Sequence, residues 1–270
     1  MRRVVFNQKG GVGKSSITVN LAAMAASQGK RTLVLDLDPQ CNATQYLLSA
    51  KFPDGHERYD IRPNVGQFFA QTLSFKLKES SLADYVHASP FAHLSVIPAN
   101  SELMEIEQML ESKHKIYKLA GALKQLARDY DEIFIDTPPA FNFFTLSALI
   151  AAESCLIPFD CDAFSRRALY TLLENIEETR QDHNEDLFVE GIVVNHYQPR
   201  ASLPVKLVEE LRAEGQPVLK TTLSSSVIMR ESHEKSLPLV HLAPRHKLTE
   251  EFTSLYDELQ ALQHQRSTKR

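Results

Sequence analysis

Short apolar runs alternate with longer stretches of helical spacing along most of the chain. Arg3-Val4-Val5-Phe6 reads as a first strand and is followed by a glycine-rich turn. Ser15 to Gln28 then reads as a helix, with Ile17, Leu21, Met24 and Ala25 on one face and Gly29 as its stop. Thr32-Leu33-Val34-Leu35-Asp36-Leu37 is apolar almost throughout, as a strand buried on both faces is. Further strands are predicted at Leu94–Ile97, Glu132–Ile135, Ser154–Ile157 and Gly191–Val194, and a shorter one at Val218–Lys220. Between them, helices are predicted over Glu102 to Asp129 (as one or two), Leu146 to Ala152 and Arg167 to Gln181. Strand and helix in repeated alternation imply an α/β fold: a single doubly wound, mostly parallel sheet flanked by helices.

Two stretches depart from this rhythm. Lys51 to Pro90 contains Pro53, Gly55, Pro63 and Gly66 before Phe68-Phe69, and reads as a loop with short helices. Leu248, Phe252, Leu255, Tyr256, Leu259 and Leu262 recur at helical spacing, which predicts a last helix packed on the core. The expected organisation is one domain over residues 1–262 and a polar, frayed tail over 263–270.

Composition narrows the function without naming it. A hydrophobic content of 43% is ample for a core, and no run approaches the ~18 apolar residues of a membrane span. Met1-Arg2-Arg3 leads straight into a strand, unlike a signal peptide, and Cys41, Cys155 and Cys161 have no metal-ligand spacing, so a reduced cytoplasmic setting fits. The formal charge of −4 means that any nucleic-acid contact must come from a local basic patch.

Gln8-Lys9-Gly10-Gly11-Val12-Gly13-Lys14-Ser15-Ser16 lies between the first strand and the first helix, where a phosphate-binding loop belongs. Glycines let successive backbone N–H groups turn toward phosphate oxygens, and the helix N-terminus adds its positive dipole end. Lys14 is placed to reach the β- and γ-phosphates, and the Ser15 hydroxyl to bind Mg²⁺. The ordinary P-loop has glycine at the position of Gln8, and Lys9 is an addition inside the loop; taken alone, Lys9 is also readable as an exposed loop charge. Asp38, just past the second strand, and Asp136, ending the Glu132 strand, emerge at the same sheet edge. Asp136 is placed to hold Mg²⁺ through water, although either aspartate alone could be a turn or helix cap.

With Asp36-Leu37-Asp38-Pro39-Gln40-Cys41-Asn42-Ala43-Thr44 and Tyr130-Asp131-Glu132-Ile133-Phe134-Ile135-Asp136-Thr137-Pro138-Pro139, the loop resembles the ParA/MinD family of deviant Walker A ATPases, the Soj-like ParA branch above all. The resemblance implies a P-loop NTPase fold, ATP and Mg²⁺ as cofactors, and an ATP-sandwich homodimer in which Lys9 contacts the phosphates held by the partner. It further implies that Asp38 positions the attacking water, that the loop after Asp136 senses the γ-phosphate, and that Asn195 contacts adenine. Such ATPases bind DNA without sequence preference, and a ParB-like or other adaptor stimulates hydrolysis and release of a plasmid, chromosome or protein cargo. A nucleoid-associated protein without integral membrane association is expected.

Arg200 falls where a DNA-contacting arginine is expected, with Lys206, Arg230, Arg245 and Lys247 as further candidates; each is equally readable as a solvated surface charge. Ser225 and Ile228 stand at usually basic positions, Ser15 replaces threonine, and Cys41 replaces glycine. The strand at Arg3 leaves no place for a preceding helix-turn-helix. A MinD-like membrane-associated regulator is the alternative, but Gln263 to Arg270 lacks any large apolar residue for an amphipathic anchor. A nitrogenase-reductase relative would need its paired cluster cysteines, and an autophosphorylating tyrosine kinase a tyrosine-rich tail; neither is present.

Overall fold

Neighbouring residues of a strand face opposite ways, and here both faces are apolar. Val4, Leu33, Leu35, Ile133 and Ile135 join one buried cluster, while Val5, Val34 and Phe134 join another. A sheet of this kind must be covered on both sides. The computed structural model describes residues 1–49, 61–74, 80–161, 165–198 and 202–269.

The chain begins β1 (Arg2–Val5), α1 (Lys14–Ser27), β2 (Thr32–Asp36), α2 (Asn42–Leu48) and α3 (Val65–Gln71). A 3-10 turn at Leu82–Tyr85 leads to β3 (His87–Ala88) and β4 (Leu94–Ile97). Then come α4 (Glu102–Ser112), α5 (Lys118–Leu126), β5 (Glu132–Asp136), α6 (Phe143–Ala151), β6 (Ser154–Asp160) and α7 (Ser165–Asp182). The last third holds β7 (Phe188–Tyr197), α8 (Ser202–Ala213), β8 (Val218–Ser224), α9 (Val227–Glu234), α10 (Leu239–Leu242) and α11 (Lys247–Lys269). The strands form one eight-stranded sheet in the order β3-β4-β2-β5-β1-β6-β7-β8. Only β3 runs antiparallel to its neighbour. Residues of α3 to α8 enter the first buried cluster, and those of α1, α2, α10 and α11 the second. The doubly wound, mostly parallel sheet expected from the sequence is the observed architecture.

Gly29 ends α1 in the left-handed region, φ 82°, where Gly29 N donates to Ala26 O and Lys30 N to Ala25 O. The apolar pattern does not predict α2, α8, α9, α10 or β3. Pro204 masks α8, but it lies in the helix's first turn, where no intrahelical N–H bond is lost. Helix α11 runs on from Leu262 through the polar tail to Lys269. Its last turns are polar and exposed, and the Arg266 guanidinium lies 3.6 Å from the Phe188 ring centroid. No helix among the described residues is long and apolar enough to cross a membrane.

The amino-terminal ends of the strands are tied by a buried charge network. Arg3, with 0% of its surface exposed, donates to Glu190 at 2.8 Å and to Glu132 at 3.1 Å. Glu132 also accepts from Lys30, Tyr256 and Gln260, and Glu190 from Ser154. The network spans β5, β1, β6 and β7 and reaches α11. It fixes one end of the sheet and leaves the other to the loops.

Candidate functional site

At the carboxyl ends of the strands, the loop from β1 enters α1 through Gly11 at φ 77° and Gly13 at φ 90°. These are left-handed values that disfavour residues bearing a Cβ. A Cβ on Gly13 would also come within 2.4 Å of Asn195 Nδ2, which donates to Val12 O at 2.9 Å. The loop's entry is pinned by Asn7, which donates to Pro158 O at 2.6 Å and accepts from Lys9 N at 2.9 Å. Its backbone is thus clamped to β6 and β7.

Lys14 is only 7% exposed, and its ammonium donates to Lys9 O at 3.2 Å. Burial lowers its pKa, and the charges of Asp136 and Asp38 oppose that shift. Asp36 and Asp136 are paired in register at the ends of β2 and β5. Burial raises Asp136 well above the ordinary carboxylate range, and the charge of Asp36 adds to this; hydrogen bonding from Ser15 opposes it. One Asp136 oxygen accepts from the Thr18 hydroxyl at 3.4 Å, and the other is buried without a hydrogen-bond partner.

Asp36 orders the segment that follows β2. Its carboxylate accepts from Asp38 N at 3.0 Å and from the Thr44 backbone and hydroxyl at 2.8 and 2.7 Å. Burial lifts its pKa to about 7, against the pull of the Thr44 hydrogen bonds. The Thr44 hydroxyl in turn accepts from Ala99 N, which ties this turn to the end of β4. Asp38 accepts from Gln40 N at 2.9 Å and faces the cleft; burial raises its pKa, while Gln40 and Lys14 lower it. Cys41 has φ 56°, the conformation a glycine adopts without cost, which accounts for the glycine expected here. Its buried thiol donates to Pro39 O at 3.3 Å.

These groups meet a cleft of about 640 Å³. Gly10, Gly11, Gly13, Lys14, Ser15, Ser16, Asp38 and Asn195 line it, while Val12 and Asp136 lie buried behind. Its opposite wall is built by α2 and α9, through Gln45, Tyr46, Arg230 and His233 among others. Glycine N–H groups, a helix N-terminus and one buried lysine suit a polyphosphate. The unpaired oxygen of Asp136, beside the Ser15 hydroxyl, suits a hydrated divalent cation that supplies the missing positive charge.

Of the cationic candidates for DNA, Arg230 lines the cleft on α9. Arg245 is exposed before α11. Lys206 and Lys247 stand 3.8 and 3.4 Å from Glu210 and Glu251 of their own helices. Arg200 lies outside the described residues. Sequence reasoning missed the work of Asp36 and Thr44, although both sit inside the Asp36–Thr44 motif. It also missed His233, for which no local pattern gives a signal.

Comparison with known proteins is consistent with this geometry. The AAA domain family (AAA_31) matches residues 3–189. The chain is 31% identical over 259 residues to the sporulation initiation inhibitor protein Soj of Bacillus subtilis (strain 168), covering 95% of this chain and 97% of that one. It is 32% identical over 257 residues to the chromosome partitioning protein ParA of Myxococcus xanthus (strain DK1622), covering 94% and 86%. Among solved structures, cobyrinic acid a,c-diamide synthase from Mycobacterium smegmatis with bound ATP analogue and magnesium superposes with a TM-score of 0.79 at 25% identity, covering 95% and 92%. The chain belongs to the AAA_31 family, as a P-loop ATPase of the ParA/MinD type that takes ATP and magnesium.

Proposed function

We propose that ATP joins two copies of this chain into a homodimer that binds DNA without sequence preference, and that slow hydrolysis releases it. The observation that carries this reading is Lys14 buried between Asp38 and Asp136 at the mouth of a glycine loop whose rim holds a second lysine, Lys9. Backbone N–H groups from Gly10 to Ser16 and the Lys14 ammonium hold the phosphates. Lys9 reaches the phosphates bound by the partner subunit. Ser15 and, through water, Asp136 hold magnesium, which when bound supplies charge neutralisation at the phosphates. Asp38 orients the attacking water and Asn195 borders the adenine.

Phosphoryl transfer to water is mostly a matter of positioning and charge stabilisation. Asp38 alone to orient water makes the isolated protein slow, and a ParB-like adaptor completes the site. Arg200, Lys206, Arg230, Arg245 and Lys247 supply the local basic patch that a chain of net charge −4 requires. The cargo is a plasmid, a chromosome or a protein assembly, and the protein works on the nucleoid.

The test is the Asp38→Ala variant with ATP, sized by light scattering and titrated with DNA of random sequence. The expected result is an ATP-dependent dimer whose DNA affinity falls steeply with salt. A monomer with ATP, or DNA binding insensitive to salt, overturns the proposal.

A further inference from the structure

The α2–α9 wall of the cleft has no part in the phosphate chemistry above, yet it touches the phosphate loop directly. Ser16, in the first turn of α1, and His233, on α9, are 217 residues apart in sequence; the Ser16 hydroxyl and His233 Nε2 lie 2.9 Å apart. Both side chains line the cleft. We propose that His233 is a positioning residue for the phosphate loop: it sets the Ser16 hydroxyl and carries occupancy of the loop into α9. This rests on the reading that the loop takes the nucleotide's phosphates.

A serine hydroxyl has one proton and two lone pairs. When His233 Nε2 accepts, the Ser16 hydroxyl donates to the ring and turns its lone pairs to the cleft, where they repel a phosphate oxygen. When Nε2 carries the proton, Ser16 accepts from the ring, and its own proton is free to point at phosphate. An arriving phosphate therefore selects one arrangement of the pair. Burial lowers the His233 pKa, which favours the neutral ring that has this choice.

The ring is held so that such a selection is felt elsewhere. It meets the Tyr46 ring edge-on, 4.8 Å between centroids. The Tyr46 hydroxyl bonds Ser232, next to His233, and Ser232 donates to Leu237 O at 2.6 Å. Asn20 of α1 donates to Ser16 O at 2.8 Å and to the Tyr46 hydroxyl at 3.3 Å, and accepts from Leu239 N at 2.8 Å. One buried polar network thus joins α1, α2, α9 and α10. Ser232 is the fully buried residue of α9, while Ile228 and Met229 pack half-buried against the core, so this helix is held by polar contacts and by shallow apolar packing. An element held in this way moves for a small free-energy change. Arg230 rides on it.

The experiment measures the affinity of a fluorescent ATP analogue for the unmodified chain and for Ser16→Ala, His233→Ala, their double variant and His233→Gln. Each alanine variant should weaken binding about threefold to tenfold, the net worth of one hydrogen bond. The double variant should be no weaker than either single one, and glutamine should restore part of the loss. Nucleotide should protect α9 amides from hydrogen exchange in the unmodified chain, and lose that effect in His233→Ala. Multiplying losses in the double variant, or α9 protection unchanged in His233→Ala, would overturn the proposal. If the unmodified chain fails to bind the analogue, the phosphate-loop reading falls, and this proposal with it.

Discussion

The contact between Gly13 and Asn195 makes a quantitative prediction about the phosphate loop. Alanine at Gly13 meets two separate obstacles. The first is backbone: φ is 90°, and a Cβ in left-handed backbone costs about 1–2 kcal/mol. The second is steric: the new Cβ would stand 2.4 Å from Asn195 Nδ2, so Asn195 must swing away. Moving it breaks the bond to Val12 O, worth about 1 kcal/mol. Gly13→Ala should therefore cost about 2–3 kcal/mol, the sum of these two.

Asn195→Ala alone loses only the hydrogen bond, about 1 kcal/mol. In the Gly13→Ala background that bond is already broken, so Asn195→Ala should add almost nothing. The expected coupling is about 1 kcal/mol between residues 182 positions apart in sequence, read as urea midpoints of the three variants and the unmodified chain. ATP affinity should follow the same order. Strict additivity, with the double variant about 1 kcal/mol below Gly13→Ala, would refute the argument. So would a Gly13→Ala variant as stable as the unmodified chain.

Substitutions at two further positions probe features of the fold. Arg3→Met leaves Glu132 and Glu190 buried without their shared counter-charge, and should lower stability by about 3–5 kcal/mol in urea unfolding; a loss under about 1 kcal/mol would mean that water or Lys30 already compensates them. Cys41→Gly relieves left-handed strain of about 1 kcal/mol and forfeits a buried thiol of similar worth, so its melting temperature should barely move. Cys41→Val puts a β-branched side chain in the same backbone and should melt clearly lower. Equal melting temperatures for these two variants would remove strain from the account.

What the sequence makes legible is whatever neighbours along the chain decide. The double-faced apolar character of Thr32–Leu35 and Ile133–Ile135 announces a covered parallel sheet. A glycine loop between strand and helix, with aspartates at strand ends, announces a phosphate site. What it hides depends on distant partners. Arg3 reads as an ordinary strand-edge charge, and only the fold brings Glu132 and Glu190 against it. His233 has no local pattern, because its meaning comes from Ser16 and Tyr46. α9 has only Ile228 and Met229 packed half-buried on the core, too short a pattern to read from sequence, and α11 runs past its apolar stripe to where Arg266 lies over Phe188.

The two ends of the sheet are in opposite electrostatic condition, and that difference bears on how the protein responds to ligand. At the amino ends, the buried carboxylates Glu132 and Glu190 face Arg3, with Lys30 adding a second cation at Glu132; although burial raises it, Glu132 ends below its ordinary pKa because Arg3, Lys30 and Tyr256 outweigh that. At the carboxyl ends, Asp36, Asp38 and Asp136 crowd around Lys14, and the pKa of each of the three is raised, with burial the largest cause. A divalent cation beside these carboxylates would favour their charged forms. A ligand that binds only the folded protein stabilises it by RT ln(1 + [L]/Kd), so magnesium with nucleotide should raise the unfolding midpoint as their concentration rises.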